Sequence, residues 1–206
     1  MNVEYVKNLL FHWKEIMTAN RERLIDMDSI VGDGDLGLTM SDGFRAAYDS
    51  IKDSEESDIG KVLFQAGKSM SAKVPSTMGT LMASGLMGAG KALRGKTELS
   101  LTEIVMLFKA YEEGVAKLGK AKVGEKTFLD GLHPAVVELE EAAMNETDIN
   151  EAAKKAAAAA RKGYEDTKGM LAVHGRAATR GENSRTFEDP GAYVACLLLE
   201  AFEQSL

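Results

Sequence analysis

The chain has one cysteine, three prolines, one tryptophan and three histidines in 206 residues, and each scarcity removes a class of explanation. A lone thiol, Cys196, cannot form an internal disulfide. Its apolar surroundings from Tyr193 to Leu199 predict buried packing, in the reducing setting of a cytoplasmic protein. His12, His133 and His174 are too scattered for a metal-ligand cluster. No uninterrupted apolar stretch approaches membrane-spanning length, and Met1 to Lys7 has neither the basic region nor the apolar core of a signal peptide, so no membrane is expected. Positive charge is also short: 25 Lys and Arg against 32 Asp and Glu leave a net charge of -7. That balance argues against a nucleic-acid partner held by the chain's own charge. Affinity for phosphate has to come through a metal.

Helical patterning, by contrast, is everywhere. With 45% hydrophobic residues the chain can fill one core, and we read one domain over residues 1–206. Val6, Leu9, Leu10, Trp13, Ile16, Met17 and Leu24 recur mostly at steps of three and four, which predicts one helix from Val3 to Ile25 that delivers the chain to Asp28. The next starts at Ser41-Asp42-Gly43 and carries Phe44, Ala47, Tyr48 and Ile51. Ile59 to Met70 is a third, closed by Val74-Pro75, and a small-residue helix follows from about Leu81 to Leu93. Ser100 with Glu103 makes a capping box for a helix to about Leu118. Thr127 to Ala143, with Pro134 near its first turns, and the alanine-rich Asp148 to Asp166 come next. Asp189-Pro190 announces the last helix as N-cap and first position. The expected fold is all-α, a barrel or bundle of about eight antiparallel helices with no strand. Loops around Gly32, Thr77 and Gly175 to Asp189 are candidates to meet at one end.

The most informative stretch is Asp28-Ser-Ile-Val-Gly-Asp33-Gly-Asp35-Leu-Gly-Leu-Thr-Met40. Asp33 and Asp35 alternate with glycines that permit tight turns, so oxygens from all three aspartates can converge on one point. Three carboxylates repel one another and lose hydration if they converge alone; one or two divalent cations between them relieve both costs. Asp28, Asp33 and Asp35 are accordingly the predicted metal ligands, with magnesium the expected ion.

Several motifs imitate other chemistries. Gly32-Asp-Gly34-Asp-Leu-Gly37 spells a dinucleotide fingerprint, but no strand precedes it and Asp33 and Asp35 would repel a pyrophosphate. An EF-hand needs glutamate at the twelfth position counted from Asp33, where this chain has Phe44. Gly85 to Lys91 falls short of a P-loop, with Ala92 where a hydroxyl is required; its glycines predict close helix packing instead. The segment Gly169 to Arg185, bearing Arg176, Arg180 and Arg185, reads either as a solvated loop or as a flap whose arginines meet phosphate or an acidic partner.

Taken together, Asp28-x4-Asp33-x-Asp35-x-Gly37-x-Thr39-Met40, Gly119-Lys-Ala-x2-Gly124-x-Lys126-Thr127-x2-Asp130, Gly175-Arg176-Ala177 and Asp189-Pro190-Gly191-Ala192 resemble the L subunits of dihydroxyacetone kinases, in family order along nearly the whole chain. The resemblance implies an eight-helix barrel that binds ADP or ATP at one end through two magnesium ions. In the bacterial branch, which a stand-alone chain suggests, the ADP is a retained coenzyme. A phosphoryl-carrier M subunit recharges it, and its γ-phosphoryl passes to dihydroxyacetone held on a separate K subunit. Carried over by position, Asp28, Asp33 and Asp35 hold the metals and, with Arg176, form the catalytic set. Leu36, Gly37, Leu38, Thr39, Thr77, Met78, Gly119, Phe128, Arg176, Asp189, Pro190 and Gly191 match nucleotide contacts. The chain departs from the family pattern at Leu36, commonly histidine, and in its phosphate loop Pro75-Ser-Thr-Met-Gly79. Two other readings stay open at this point: an ATP-dependent kinase component for another acceptor, and a nucleotide-binding regulatory module.

Overall fold

Asn2 starts the first helix by accepting hydrogen bonds from the amides of Glu4 and Tyr5, and a computed structural model describes the whole chain, residues 1–206. The helices are α1 (Val3–Ala19), α2 (Arg21–Val31), α3 (Leu36–Asp49), α4 (Ile59–Lys73), α5 (Thr77–Ala92), α6 (Leu101–Gly119), α7 (Phe128–Met144), α8 (Ile149–Asp166) and α9 (Pro190–Gln204). Ala177–Thr186 forms 3₁₀ turns kinked at Gly181. The fold is all-α as expected; the only β pairing is an isolated bridge between Asn2 and Glu98. No helix is long and apolar enough to cross a membrane.

The helix count is nine because the expected first helix breaks at Asn20. There the amide Nδ2 donates to the Ile16 carbonyl at 2.9 Å, while Oδ1 accepts from the Tyr193 hydroxyl at 3.0 Å. The break thus depends on a partner on α9, which no local pattern announces. Three boundaries also move. α2 continues through Asp28 to Val31, which puts Asp28 on a helix and not in the loop. α3 starts at Leu36, five residues before the expected Ser41. α5 starts at Thr77 and not Leu81, because Ser76 Oγ accepts from the Gly79 amide immediately after Pro75. Pro134 is the seventh residue of α7, near its first turns as expected, and the Asp130 carbonyl that it deprives of a donor packs against Gly163, where no side chain intervenes.

Neighbours in sequence pack as neighbours in space from α3 to α9, α1 packs against α3, and α9 returns to α1, so the helices close a ring to which α2 is a short addition beside α3. One cluster of 50 buried residues runs through it from Val6 to Phe202. Trp13 is at its centre, edge-on to Phe44, Phe108 and Tyr111, with its indole N–H donating to the Leu198 carbonyl at 3.0 Å. Cys196 is fully buried, as its neighbours indicated.

The glycines of the P-loop imitation serve packing. A Cβ on Gly90 would lie 2.7 Å from the Gly60 carbonyl oxygen, and one on Gly60 would lie 2.5 Å from the Gly90 oxygen. α4 and α5 therefore touch backbone to backbone. Alanine is the better helix former, but here it has to push two main chains apart, and overpacking of that kind costs about 1–3 kcal/mol. Urea unfolding should accordingly show Gly60→Ala and Gly90→Ala each less stable than wild type by about that amount, whereas a stability gain in either would contradict direct backbone contact.

Candidate functional site

Because the helices alternate in direction, the first residues of α3, α5, α7 and α9 come to the same end of the ring, and Leu36, Thr77, Phe128 and Pro190 all line one cavity of about 600 Å³. The three loops singled out in the sequence do meet here. Asp28, Asp33 and Asp35 form one side, Ser76, Thr77 and Met78 another, and Asp189, Pro190 and Gly191 a third. Leu81, Val115, Phe128 and Leu129 make an apolar wall, and residues 174–177 line another side.

Local backbone explains how the carboxylates converge. Asp28 stands on the last turn of α2, where its carbonyl accepts from the Gly32 amide at 2.5 Å; Gly34 takes a left-handed conformation (φ 73°) between Asp33 and Asp35. The Leu36 amide, an orphan donor at the start of α3, reaches back to Asp28 Oδ2 at 3.3 Å. One carboxylate oxygen from each aspartate then lies within 4.8 Å of the others. Burial and the charges of Asp33 and Asp28 push the Asp35 carboxyl above its ordinary range, while Arg176 opposes that rise. Arg176 Nη1 is 2.6 Å from Asp33 Oδ2, so the cluster already holds one cationic group. A donor set of three carboxylates with no nitrogen or sulfur fits a hard divalent cation such as magnesium.

The start of α5 supplies the complementary group. Ser76 Oγ takes the Gly79 amide, which leaves the amides of Thr77 and Met78 with no intrahelical acceptor at the cavity wall. Ser76 is itself steadied by donating to Thr39 Oγ1 at 3.3 Å. The cavity thus offers carboxylates for cations, backbone amides for anionic oxygens and an apolar wall for a flat ring. Such a combination can accommodate a magnesium-bound nucleotide.

Of the residues expected to contact a nucleotide, Leu36, Thr77, Met78, Gly119, Phe128, Arg176, Asp189, Pro190 and Gly191 line the cavity. Gly37, Leu38 and Thr39 do not. Gly37 is buried where α3 crosses α2, and any Cβ there would overlap the Arg21 carbonyl. Leu38 and Thr39 face an adjacent shallow groove with Asp42 and Lys73. Extended loop backbone would have exposed all four residues from Leu36 to Thr39; a helix starting at Leu36 turns them to different faces.

Sequence reasoning left out Leu81, Val115 and Leu129 of the apolar wall, which share the spacing of ordinary core, and also His174 and Lys126. His174 Nε2 meets Glu125 Oε2 at 2.5 Å. Lys126 is buried, which pushes its ammonium pKa down, and its Nζ donates to backbone carbonyls. Both belong to segments quoted for their motifs, yet neither the ring pairing nor the burial has any local signature.

The DAK2 domain matches residues 30–204. The chain belongs to the DAK2-domain family. Among its DAK2-domain relatives, the ADP-binding subunit DhaL of PEP-dependent dihydroxyacetone kinase 1 from Listeria innocua is 31% identical over 98% of this chain and 98% of its own. The corresponding ADP-binding subunit from Escherichia coli K12 is 29% identical over 95% of this chain and 93% of its own. The dihydroxyacetone kinase of C. freundii, solved in complex with AMP-PNP and Mg2+, superposes with a TM-score of 0.74 at 21% identity over 98% of this chain, which spans 34% of that longer one. At that identity the superposition establishes the shared all-helical fold.

Asp189 gives the site a pH signature. It is the N-cap of α9, accepting from the Ala192 amide at 2.7 Å, and burial raises its carboxyl pKa from 3.8 to about 7. The native chain therefore binds a proton that the unfolded chain releases between about pH 4 and 7, and stability falls as pH rises through that window. Asparagine caps equally well and cannot ionise. Melting curves at pH 5 and pH 8 should show Asp189→Asn gaining stability relative to wild type at pH 8, and an unchanged difference would contradict a protonated native Asp189.

Proposed function

We propose that this chain is the nucleotide-binding subunit of a divided dihydroxyacetone-type kinase. It binds ADP and ATP with two magnesium ions and passes the γ-phosphoryl group to dihydroxyacetone, or a similar small ketose, held on a separate K subunit. A phosphoryl-carrier M subunit recharges the nucleotide. The assembly works in the cytoplasm, without nucleic acid or membrane, and residues 1–206 act as one nucleotide-binding domain. The observation that carries this reading is the meeting of three carboxylates, a free helix N-terminus and an apolar wall in one cavity. Similarity to ADP-binding subunits over nearly the full length of both chains supports it.

Each group has a distinct task. Asp28, Asp33 and Asp35 would hold magnesium, which when bound neutralises the charge that grows on phosphate oxygens during transfer. The amides of Thr77 and Met78 orient phosphate oxygens, and Arg176 adds a positive charge that can move from Asp33 to the phosphates. Leu81, Val115 and Phe128 receive the base, with Gly119 and Gly191 allowing close approach. Residues 174–177 help exclude water from the transfer. The cavity presents no serine, cysteine or histidine arranged as a nucleophile for a sugar, which agrees with an acceptor carried by another subunit.

Removing one carboxylate charge tests the metal role. Calorimetric titration of ADP with and without magnesium should show Asp33→Asn and Asp35→Asn each losing magnesium-dependent affinity by roughly tenfold or more, with helical circular dichroism retained. Normal magnesium-dependent binding in both variants would refute the assignment.

A further inference from the structure

Lys126 is a buried ammonium for which none of the steps above has a use. It is 2% exposed, adopts a left-handed backbone (φ 60°) and lines the cavity. Burial of such a charge is costly unless its protons find acceptors. Here Nζ donates to the carbonyls of Thr167, at 2.8 Å, and Phe187, at 2.5 Å. Those two residues bracket the flap: Thr167 closes α8, and Phe187 follows the 3₁₀ turns just before the Asp189 cap of α9. Both ends of the segment 168–186 are therefore tied to one side chain.

The neighbouring contacts share this purpose. The Gly169 amide donates to the Arg185 carbonyl at 2.9 Å and the Arg185 guanidinium returns a bond to the Gly169 carbonyl at 2.6 Å, which closes the neck of the flap. Thr167 Oγ1 accepts from the Asp189 amide at 2.8 Å. Further out, the flap meets the rest of the chain through His174 on Glu125, Arg176 on Asp33 and the packing of Ala172 and Ala177 against Val31 at the end of α2. Glu125 adjoins Lys126, and their loop is held by Asp130, which accepts from the amides of Gly124 (2.5 Å) and Thr127 (2.7 Å). The path from the start of α7 to the acidic cluster is continuous.

We propose that Lys126 is a positioning residue for Arg176: by fastening both feet of the flap to the loop before α7, it sets where Arg176 meets the acidic cluster. Asp130 keeps that loop in place, and Lys126 transmits the placement to the flap. The flap's order follows from this geometry alone; only the affinity consequence rests on the nucleotide reading above.

The test compares wild type, Lys126→Met, Arg176→Ala and the double variant. Lys126→Met should keep its helical circular dichroism, while amide exchange across residues 168–187 and tryptic cleavage after Arg176, Arg180 and Arg185 accelerate by roughly tenfold or more. Magnesium-dependent ADP affinity should fall in Lys126→Met, yet fall no further when Lys126→Met is added to Arg176→Ala, because the two act through one group. Unchanged exchange in the flap, or affinity losses that add, would overturn the proposal. If wild type binds no nucleotide, the functional reading fails while the exchange comparison still decides the role of Lys126. Should Lys126→Met lose global helicity, Lys126→Gln, which keeps an amide donor, takes its place; collapse of both makes Lys126 a folding residue and overturns the positioning role.

Discussion

Asp28, Asp33 and Asp35 each bring one carboxylate oxygen within 4.8 Å of the others, and although Asp33 and Asp35 stay open to water the three repel one another. That repulsion is eased by positive charge, by donated hydrogen bonds or by a stiff scaffold. This chain uses all three: Arg176 on Asp33, the Leu36 amide on Asp28, and a turn at Gly34 fixed between two helices. The raised Asp35 carboxyl records what repulsion and burial remain. The positive group this cluster holds, Arg176, belongs to a segment anchored elsewhere.

The ring of helices explains why the other requirements appear at the same place. Antiparallel neighbours with short connections bring alternate helix starts to one end, and a helix start carries amides that no residue of the same helix can satisfy. At α5 the serine cap takes the third amide and leaves the first two at the cavity wall. On the proposed reading a chain of net charge -7 would hold phosphate through these amides and through magnesium, both of which act locally.

Much of this was legible in the sequence, for identifiable reasons. Apolar spacing at three and four residues announced nearly every helix, and Asp189-Pro190 and Ser100-x-x-Glu103 marked starts that the structure keeps. The convergence of Asp28, Asp33 and Asp35 was legible because their spacing between glycines is a local property. The break at Asn20 was not, since it depends on Tyr193 from the far end of the chain. The start of α3 at Leu36 was missed because Gly37 looks like loop, whereas its missing side chain serves the crossing of α2 and α3. Lys126 was hidden most completely: a lysine in a glycine-bearing turn has every appearance of solvent exposure, and only the fold brings to it the two carbonyls, from the residues that bracket the flap.

The most direct measurement is to denature the purified chain mildly, identify what it releases by mass spectrometry and quantify magnesium in the same sample. A nucleotide-binding subunit of this design should release ADP close to one equivalent, with about two magnesium ions per chain. A chain that releases no nucleotide, and then binds neither ADP nor ATP when magnesium is supplied, would contradict the central claim that the acidic cluster and the α5 terminus form one nucleotide site.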